Sequence, residues 1–200
     1  MRVMPKSKIA TRAAAKEDTH ERIVSVAARA IRGTGYGGTG VADIMRAAGL
    51  THGAFYAHFD SREAMLAEAA ARACAESLAA VSGIGARAPA NKALAAVIGA
   101  YLSKEHRQGT EVGCPLAALG SETSRQAPEV RQVATRHVKE VTDLVARQSP
   151  DWGQARAHER ALVTVSTMVG ALILARAVDD EGLSDDLLQA ALKHLTAGGL

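Results

Sequence analysis

The chain has 200 residues, 48% hydrophobic and 22% charged, with a formal net charge of +3. This is the balance of a globular protein of one compact unit or two small packed domains. Two cysteines, nothing resembling a signal peptide and no stretch of roughly 18 uncharged apolar residues argue against a disulfide scaffold and a membrane span and place the protein in the cytoplasm. The charge is uneven: residues 1–62 hold ten Lys/Arg against five Asp/Glu, residues 63–200 fourteen against sixteen. A basic third on a slightly acidic remainder fits a nucleic-acid face on a body with another task.

Residues 1–18 hold Arg2, Lys6, Lys8, Arg12 and Lys16 in an Ala/Ser/Thr/Pro-containing segment with no clear core face. They are expected to form a basic arm, disordered without DNA, that tracks phosphates or enters the minor groove when DNA is bound. A helix follows, capped by Asp18 or Thr19, with Ile23, Ala27, Ala30 and Ile31 on one face and glycines 33 and 35 at its end. Gly35 to Gly40 reads G-Y-G-G-T-G and satisfies the dinucleotide-binding spacing. That reading is rejected, because a helix precedes the glycines and no strand pattern follows.

Val41, Ile44, Met45 and Ala48 fall at i, i+3, i+4 and i+7, one face of a short helix. Gly49 stops it, Leu50 plugs the corner, and Thr51 is placed to cap a second helix. Phe55 and Phe59, four apart, face one core, which leaves His52, Gly53, Ala54, Tyr56 and His58 outward. Two short helices about a glycine turn make a helix-turn-helix arrangement. Ser61 then caps a long Ala-rich helix through Met65, Leu66, Ala69 and Ala73 toward Ser82–Gly83, followed by a linker with Gly85 and Pro89.

Farther on, Leu94, Val97, Ile98, Tyr101 and Leu102 form an amphipathic stripe, and Cys114–Pro115 starts a short helix with Leu116 and Leu119 inward. Pro128 opens a helix whose apolar face carries Val130, Val133, His137, Val138, Val141, Leu144 and Val145. The segment 154–178 is apolar nearly all round, and Ser184 is read as the cap of a last helix with Leu187, Leu188, Ala191, Leu192 and Leu195. No strand pattern appears, so the expected fold is all-α with about nine helices.

The run G-L-T-H-G-A-F-Y-A-H-F-D-S-R-E, residues 49–63, resembles the DNA-binding signature of the tetracycline-repressor (TetR/AcrR) family of bacterial regulators. The motif resemblance spans roughly residues 19–66, which sets the expected division: arm 1–18, helix-turn-helix domain 19–66, ligand-binding and dimerisation domain 67–200. Where Gly40 stands the family usually has a hydroxyl residue, so either Thr39 or the glycine itself caps the first motif helix. Helix N-termini at Thr39/Gly40, Thr51 and Ser61 favour phosphate. Thr51 and Tyr56 offer hydroxyls, and His58 and Arg62 add donors or charge. Gly53 and Ala54 are small enough to let the backbone enter the major groove, with His52 best placed for a base edge or phosphate. The expected DNA contacts are thus Thr39, Thr51, His52, Gly53, Ala54, Tyr56, His58 and Arg62.

Catalysis finds no support: the seven histidines are scattered, and H-E-x-x-H, C-x-x-C and G-x-S-x-G are all absent. No cofactor or metal is expected, and Cys114 is read as a buried, inert thiol, the alternative being a helix-N-terminal thiol that senses electrophiles or oxidants. The resemblance implies a homodimer on a palindromic operator, released when a small hydrophobic effector fills the C-terminal bundle. It also implies that Tyr101, Leu116, Leu119, His137, Val141, Leu144, Met168 and Leu172 surround that effector. The competing reading is a helical small-molecule-binding protein with a vestigial DNA motif.

Overall fold

The computed structural model describes residues 6–149, 152–154 and 156–197, with side chains from residue 13 onward. Nine α-helices follow one another among these residues: α1 (Lys6–Thr34), α2 (Val41–Ala47), α3 (Arg62–Arg87), α4 (Ala93–Tyr101), α5 (Lys104–Gln108), α6 (Pro115–Thr123), α7 (Pro128–Gln148), α8 (Ala157–Ala177) and α9 (Glu181–Thr196). Three 3₁₀ turns, His52–Ala57, Ala90–Lys92 and Thr110–Val112, lie between them, and no strand occurs among the described residues. The protein is all-α.

Two differences from the sequence reading arise at the start. The described part of the arm, from Lys6, is already α1, because Ala13–Ala14–Ala15–Lys16 are strong helix formers. Residues 1–5 of the arm lie outside the described residues. Thr19 is therefore inside a helix rather than capping one, and its hydroxyl donates to the Ala15 carbonyl at 2.8 Å. That back-bond within the helix replaces the cap it was expected to make.

α3 packs on α1, α4, α6 and α7, with the helix-turn-helix core joined to Met65 and Leu66 near its start. The first core joins Ile23, Ile31, Tyr36, Ile44, Met45, Phe55, Phe59, Met65 and Leu66, with Leu119 of α6 and Val130 of α7 reaching in from the C-terminal bundle. The second joins Val97, Ile98, Tyr101, Leu102, Cys114, Met168, Leu172 and Leu188. A smaller cluster of Val145, Ala146, Ala161 and Val165 fastens α7 to α8.

The segment 104–113 is held by charge rather than by apolar packing. Arg107, nearly buried, donates to Ser184 Oγ at 2.6 Å and to Asp185 at 3.1 Å. Arg176 of α8 donates from Nε to the Arg107 carbonyl (3.0 Å) and from Nη2 to the His106 carbonyl (2.6 Å). The His106 ring then closes the base of the bundle. Its Nε2 accepts the Cys114 N–H at 3.0 Å, so the proton sits on Nδ1, which donates to the Tyr101 carbonyl at 2.7 Å. Ser184 was expected to cap the last helix. Asp180 caps it instead, accepting from the Leu183 N–H, and buried Ser184 donates to the Ala175 carbonyl.

α8 meets the length and apolarity of a membrane-crossing helix, at a mean hydropathy of 1.4, which the sequence reading had not found. Here one face of it packs on α6, α7 and α9, and the other is exposed.

Candidate nucleic-acid interface and ligand cavity

α2 ends as the sequence predicts. Gly49 takes φ +71, its N–H bonds to Arg46 O, and the Leu50 N–H reaches back to Met45 O. This double bond is a Schellman closure, in which a left-handed residue satisfies the last carbonyls at little steric cost to glycine. Gly40 is the N-cap of α2, and no side chain caps the helix.

The second element of the motif is a six-residue 3₁₀ turn rather than an α-helix. Its brevity, the glycine at 53 and the absence of a side-chain cap from Thr51 all favour the tighter winding. Phe55 and Phe59 are buried beneath it and stack on each other at 5.4 Å between centroids. They hold the turn by its inner face and leave His52, Gly53 and Tyr56 outward, with Tyr56 72% exposed. Thr51 is exposed beside them, and Ala54 is half-buried against the core. A Cβ built on Gly53 meets nothing within 4 Å.

Three of the expected DNA contacts are placed otherwise. Thr39 is 4% exposed, and its hydroxyl donates to the Gly35 carbonyl at 2.7 Å and pairs with Thr34 Oγ1 at 2.9 Å. It secures the turn after α1 and presents nothing to solvent. Arg62 is half-buried, and its Nη2 donates to the Tyr36 and Thr39 carbonyls. It clamps that same turn onto the start of α3. His58 lies between the motif and α1, 5.9 Å from the His20 ring, which itself stacks on Phe59 at 4.6 Å and bonds Glu68 at 2.6 Å. Burial first, then His20 and Lys16, hold the His58 pKa below the ordinary histidine value. Tertiary partners turn these side chains inward: the turn after α1 for Thr39 and Arg62, and His20 of α1 for His58. Residue type alone carried no sign of it. Arg46 is exposed and pairs with Asp43.

An enclosed cavity lies in the C-terminal bundle, lined by Ser77, Val81, Val97, Tyr101, Cys114, Leu116, His137, Val141, Val145, Val165, Met168 and Val169. Its volume of about 20 Å³ is room for one water. Five of the eight residues expected around an effector line it: Tyr101, Leu116, His137, Val141 and Met168. The other three do not. Leu119 is buried in the core beneath the helix-turn-helix, Leu172 fills the α8–α9 core, and Leu144 is half-buried on α7 outside the lining. A one-residue change of azimuth decides which face of a helix a leucine takes, and that lies below the resolution of periodicity.

In the cavity wall His137 Nδ1 has no hydrogen-bond partner in the protein, and the Tyr101 hydroxyl has none beyond the Cys114 thiol. Burial pushes the Tyr101 phenol well above its ordinary pKa and the His137 imidazole below its own, so both are neutral near pH 7. No Lys or Arg lines the cavity. Both cysteines are free and buried, and burial raises the Cys74 thiol to about 12. Among the described residues, no group of three or more His, Cys, Asp or Glu is arranged to hold a metal ion.

The family described as "Bacterial regulatory proteins, tetR family" matches residues 23–69, which hold the helix-turn-helix. A second, "Transcriptional regulator LmrA/YxaF-like, C-terminal domain", matches residues 89–191. An uncharacterised HTH-type transcriptional regulator of Mycobacterium tuberculosis is 30% identical over 187 residues, covering 88% of this chain and 92% of its own. The chain belongs to the tetR family. It is a TetR-type DNA-binding transcriptional regulator. The TetR-like fold recurs in Escherichia coli NemR in its reduced form, at a TM-score of 0.77 and 20% identity over 90% of this chain and 96% of that one. A TetR regulator from Chloroflexus aurantiacus gives a TM-score of 0.75 at 24% identity, over 92% and 96% of the two chains.

Proposed function

We propose that this chain is a cytoplasmic, ligand-responsive repressor that binds a palindromic operator as a homodimer and is released by a small, neutral, mostly apolar effector. The observation that carries the DNA half is the outer surface of the motif. His52, Gly53 and Tyr56 face outward on a turn fixed from below by two buried phenylalanines. A small residue between two donors suits close approach to a groove, with Tyr56 on phosphate and His52 at a base edge.

The effector half rests on the cavity between α3, α4, α6, α7 and α8. Its wall is aliphatic apart from a few polar groups, and one of those, His137 Nδ1, has no partner in the protein. Buried polar atoms without partners are costly, and a ligand that supplies a hydrogen bond recovers that cost. The absence of lining Lys and Arg disfavours an anion. The resting volume admits only water, so an effector must bind an opened conformation. Its affinity is reduced by the small population of that state.

Selection of duplexes from a random pool tests the first half. Recovery of a palindromic consensus that Tyr56→Phe binds uniformly more weakly, and His52→Ala binds with altered base preference, is the expected result. Failure to enrich any sequence favours a vestigial motif. For the second half, effector affinity is measured with and without operator, and operator affinity with and without effector. The two factors must agree, and a molecule that fills the cavity while leaving operator affinity untouched is not the inducer.

A further inference from the structure

α6 has one end in the ligand cavity and the other on the DNA-binding domain. At its first turn, Cys114 and Leu116 are part of the cavity wall. One turn on, Leu119 is buried in the core beneath the helix-turn-helix. In its last turn, Glu122 Oε2 accepts the backbone N–H groups of Tyr36 (2.9 Å) and Gly37 (3.4 Å). Nine residues thus connect the cavity to the turn that leads into the motif.

That turn is gripped from both sides. Its N–H groups point at Glu122, while the carbonyls of Tyr36 and Thr39 accept from the Arg62 guanidinium at the start of α3. Gly35 makes the close approach possible, with φ +78 and a hypothetical Cβ only 2.3 Å from Glu122 Oε1. Tyr36 is itself buried in the N-terminal core, so moving its backbone moves the packing under Phe55 and Phe59. A carboxylate on two successive N–H groups is a charge-assisted and directional contact. It is the kind that an axial shift or a tilt of α6 breaks outright rather than stretches.

We propose that Glu122 is the positioning residue through which the state of the cavity sets the pose of the helix-turn-helix. With the cavity closed, α6 holds Glu122 on the Tyr36–Gly37 amides and the motif is fixed. When the cavity is forced open, α6 moves, the carboxylate leaves the amides, and the turn with its motif is freed to reorient. The inference rests on the proposed roles of cavity and motif, and its test uses neither DNA nor effector, so the two can fail separately.

Intermediacy in space does not establish coupling, but non-additivity does. The cavity is opened by Val141→Phe, whose ring cannot fit in about 20 Å³, and the contact is removed by Glu122→Ala. Hydrogen exchange is then followed by mass spectrometry in the intact protein and in each single and double variant. Val141→Phe in the otherwise native chain is expected to speed exchange over residues 36–62 by about threefold or more. In the Glu122→Ala background that segment already exchanges fast, and Val141→Phe should add less than about 1.5-fold. Faster exchange in α7 and α8 in both backgrounds verifies that the wedge acts.

Equal acceleration of residues 36–62 with and without Glu122 overturns the proposal, as does a wedge effect confined to the C-terminal bundle. A general loss of stability on removing Glu122 would speed exchange everywhere and would not abolish the wedge effect selectively. Should either variant fail to fold, Val141→Leu and Glu122→Gln, which keeps the shape but has a single acceptor oxygen, give the same four-way comparison. Glu122→Gln is expected to leave an intermediate coupling.

Discussion

Gly53 carries a hydrogen where any other residue has a side chain, and that side chain would project into open solvent at the outer face of the motif. Its φ is not positive, so the backbone does not require glycine. Gly53→Ala should fold at least as stably, by up to about 1 kcal/mol, through a smaller unfolded-state entropy. The bulkier Gly53→Leu should leave the melting temperature within a few degrees while weakening operator binding at least tenfold, because the space it fills is the space the duplex needs. Calorimetry and operator titration on the same preparations separate these effects, and native affinity in the Gly53→Leu protein would show that the duplex docks elsewhere. Arg62 is the converse case. Its two carbonyl partners make Arg62→Ala a stability change of about 1.5–3 kcal/mol, the range for hydrogen bonds to a charged group. Chemical denaturation is expected to register that loss, and any fall in DNA affinity should come without a flatter salt dependence, since this guanidinium faces the protein. Acid acts on buried His137 and half-buried His106, whose pKa values both lie below the ordinary one, chiefly through burial. As pH falls below about 6.5 the unfolded chain takes up protons the folded chain refuses, so stability declines toward acid and is regained toward neutrality. Melting temperatures recorded from pH 7.5 to 5 should fall, and His137→Gln should make that slope shallower.

At the scale of elements, α8 turns one face into the bundle and leaves Leu162, Val163, Ile173 and Leu174 exposed on the other, with Ser166 and Gly170 between them. Leu183 of α9 is exposed as well. A helix apolar on both faces favours burial on both, and exposed apolar side chains gathered on one face, with small residues between them, suit an association surface. The homodimer proposed above is therefore expected to form through α8 and α9, and Leu174→Glu should then convert a dimer to a monomer by sedimentation at micromolar concentration. An unaltered sedimentation coefficient would move the interface off this face. The existence of this helix was legible from its composition, as were the α2–glycine–motif unit and the proline-started α6 and α7, since periodicity and caps are local signals. Element ends were less so. Gly83 and Gly85 suggested a linker, yet α3 runs to Arg87 because Gly85 is where Gln148 of α7 packs, a Cβ there lying 2.6 Å from its Nε2. The glycine is selected by a neighbour distant in sequence, which no local rule can detect. The same holds for Glu122, an unremarkable carboxylate in sequence whose partners are the amides of residues 36 and 37. Half of the candidate DNA face was legible, because burial of Phe55 and Phe59 dictates which residues point outward. The inward turn of Thr39, His58 and Arg62 depends on tertiary partners instead.

For the whole molecule the question is which charges meet a duplex. The excess of cations in residues 1–62 fits a nucleic-acid face, but three of those cations are engaged within the protein. Arg32 is buried against Glu76 at 2.7 Å, Arg46 pairs with Asp43, and Arg62 holds backbone carbonyls. Further positive charge lies on Arg22 and Arg29, both exposed on α1, and in the sequence of residues 1–16, where Arg2, Lys6, Lys8, Arg12 and Lys16 occur with no acid before Glu17. Counterion release makes the logarithm of the binding constant fall with the logarithm of salt concentration by about 0.9 for each phosphate neutralised. Exchanging Lys6, Lys8 and Arg12 together for Gln should therefore flatten the salt dependence of operator binding by up to about 2.7 per protomer. Base preference should stay as it was, because phosphate contacts position the protein and base contacts specify the sequence. Arg46→Gln removes a charge already neutralised by Asp43 and should change the slope by much less. The measurement is operator affinity at four or five salt concentrations for the three proteins. If the triple exchange leaves the slope of the native protein intact, the duplex is held by the body of the domain and not by its N-terminal segment.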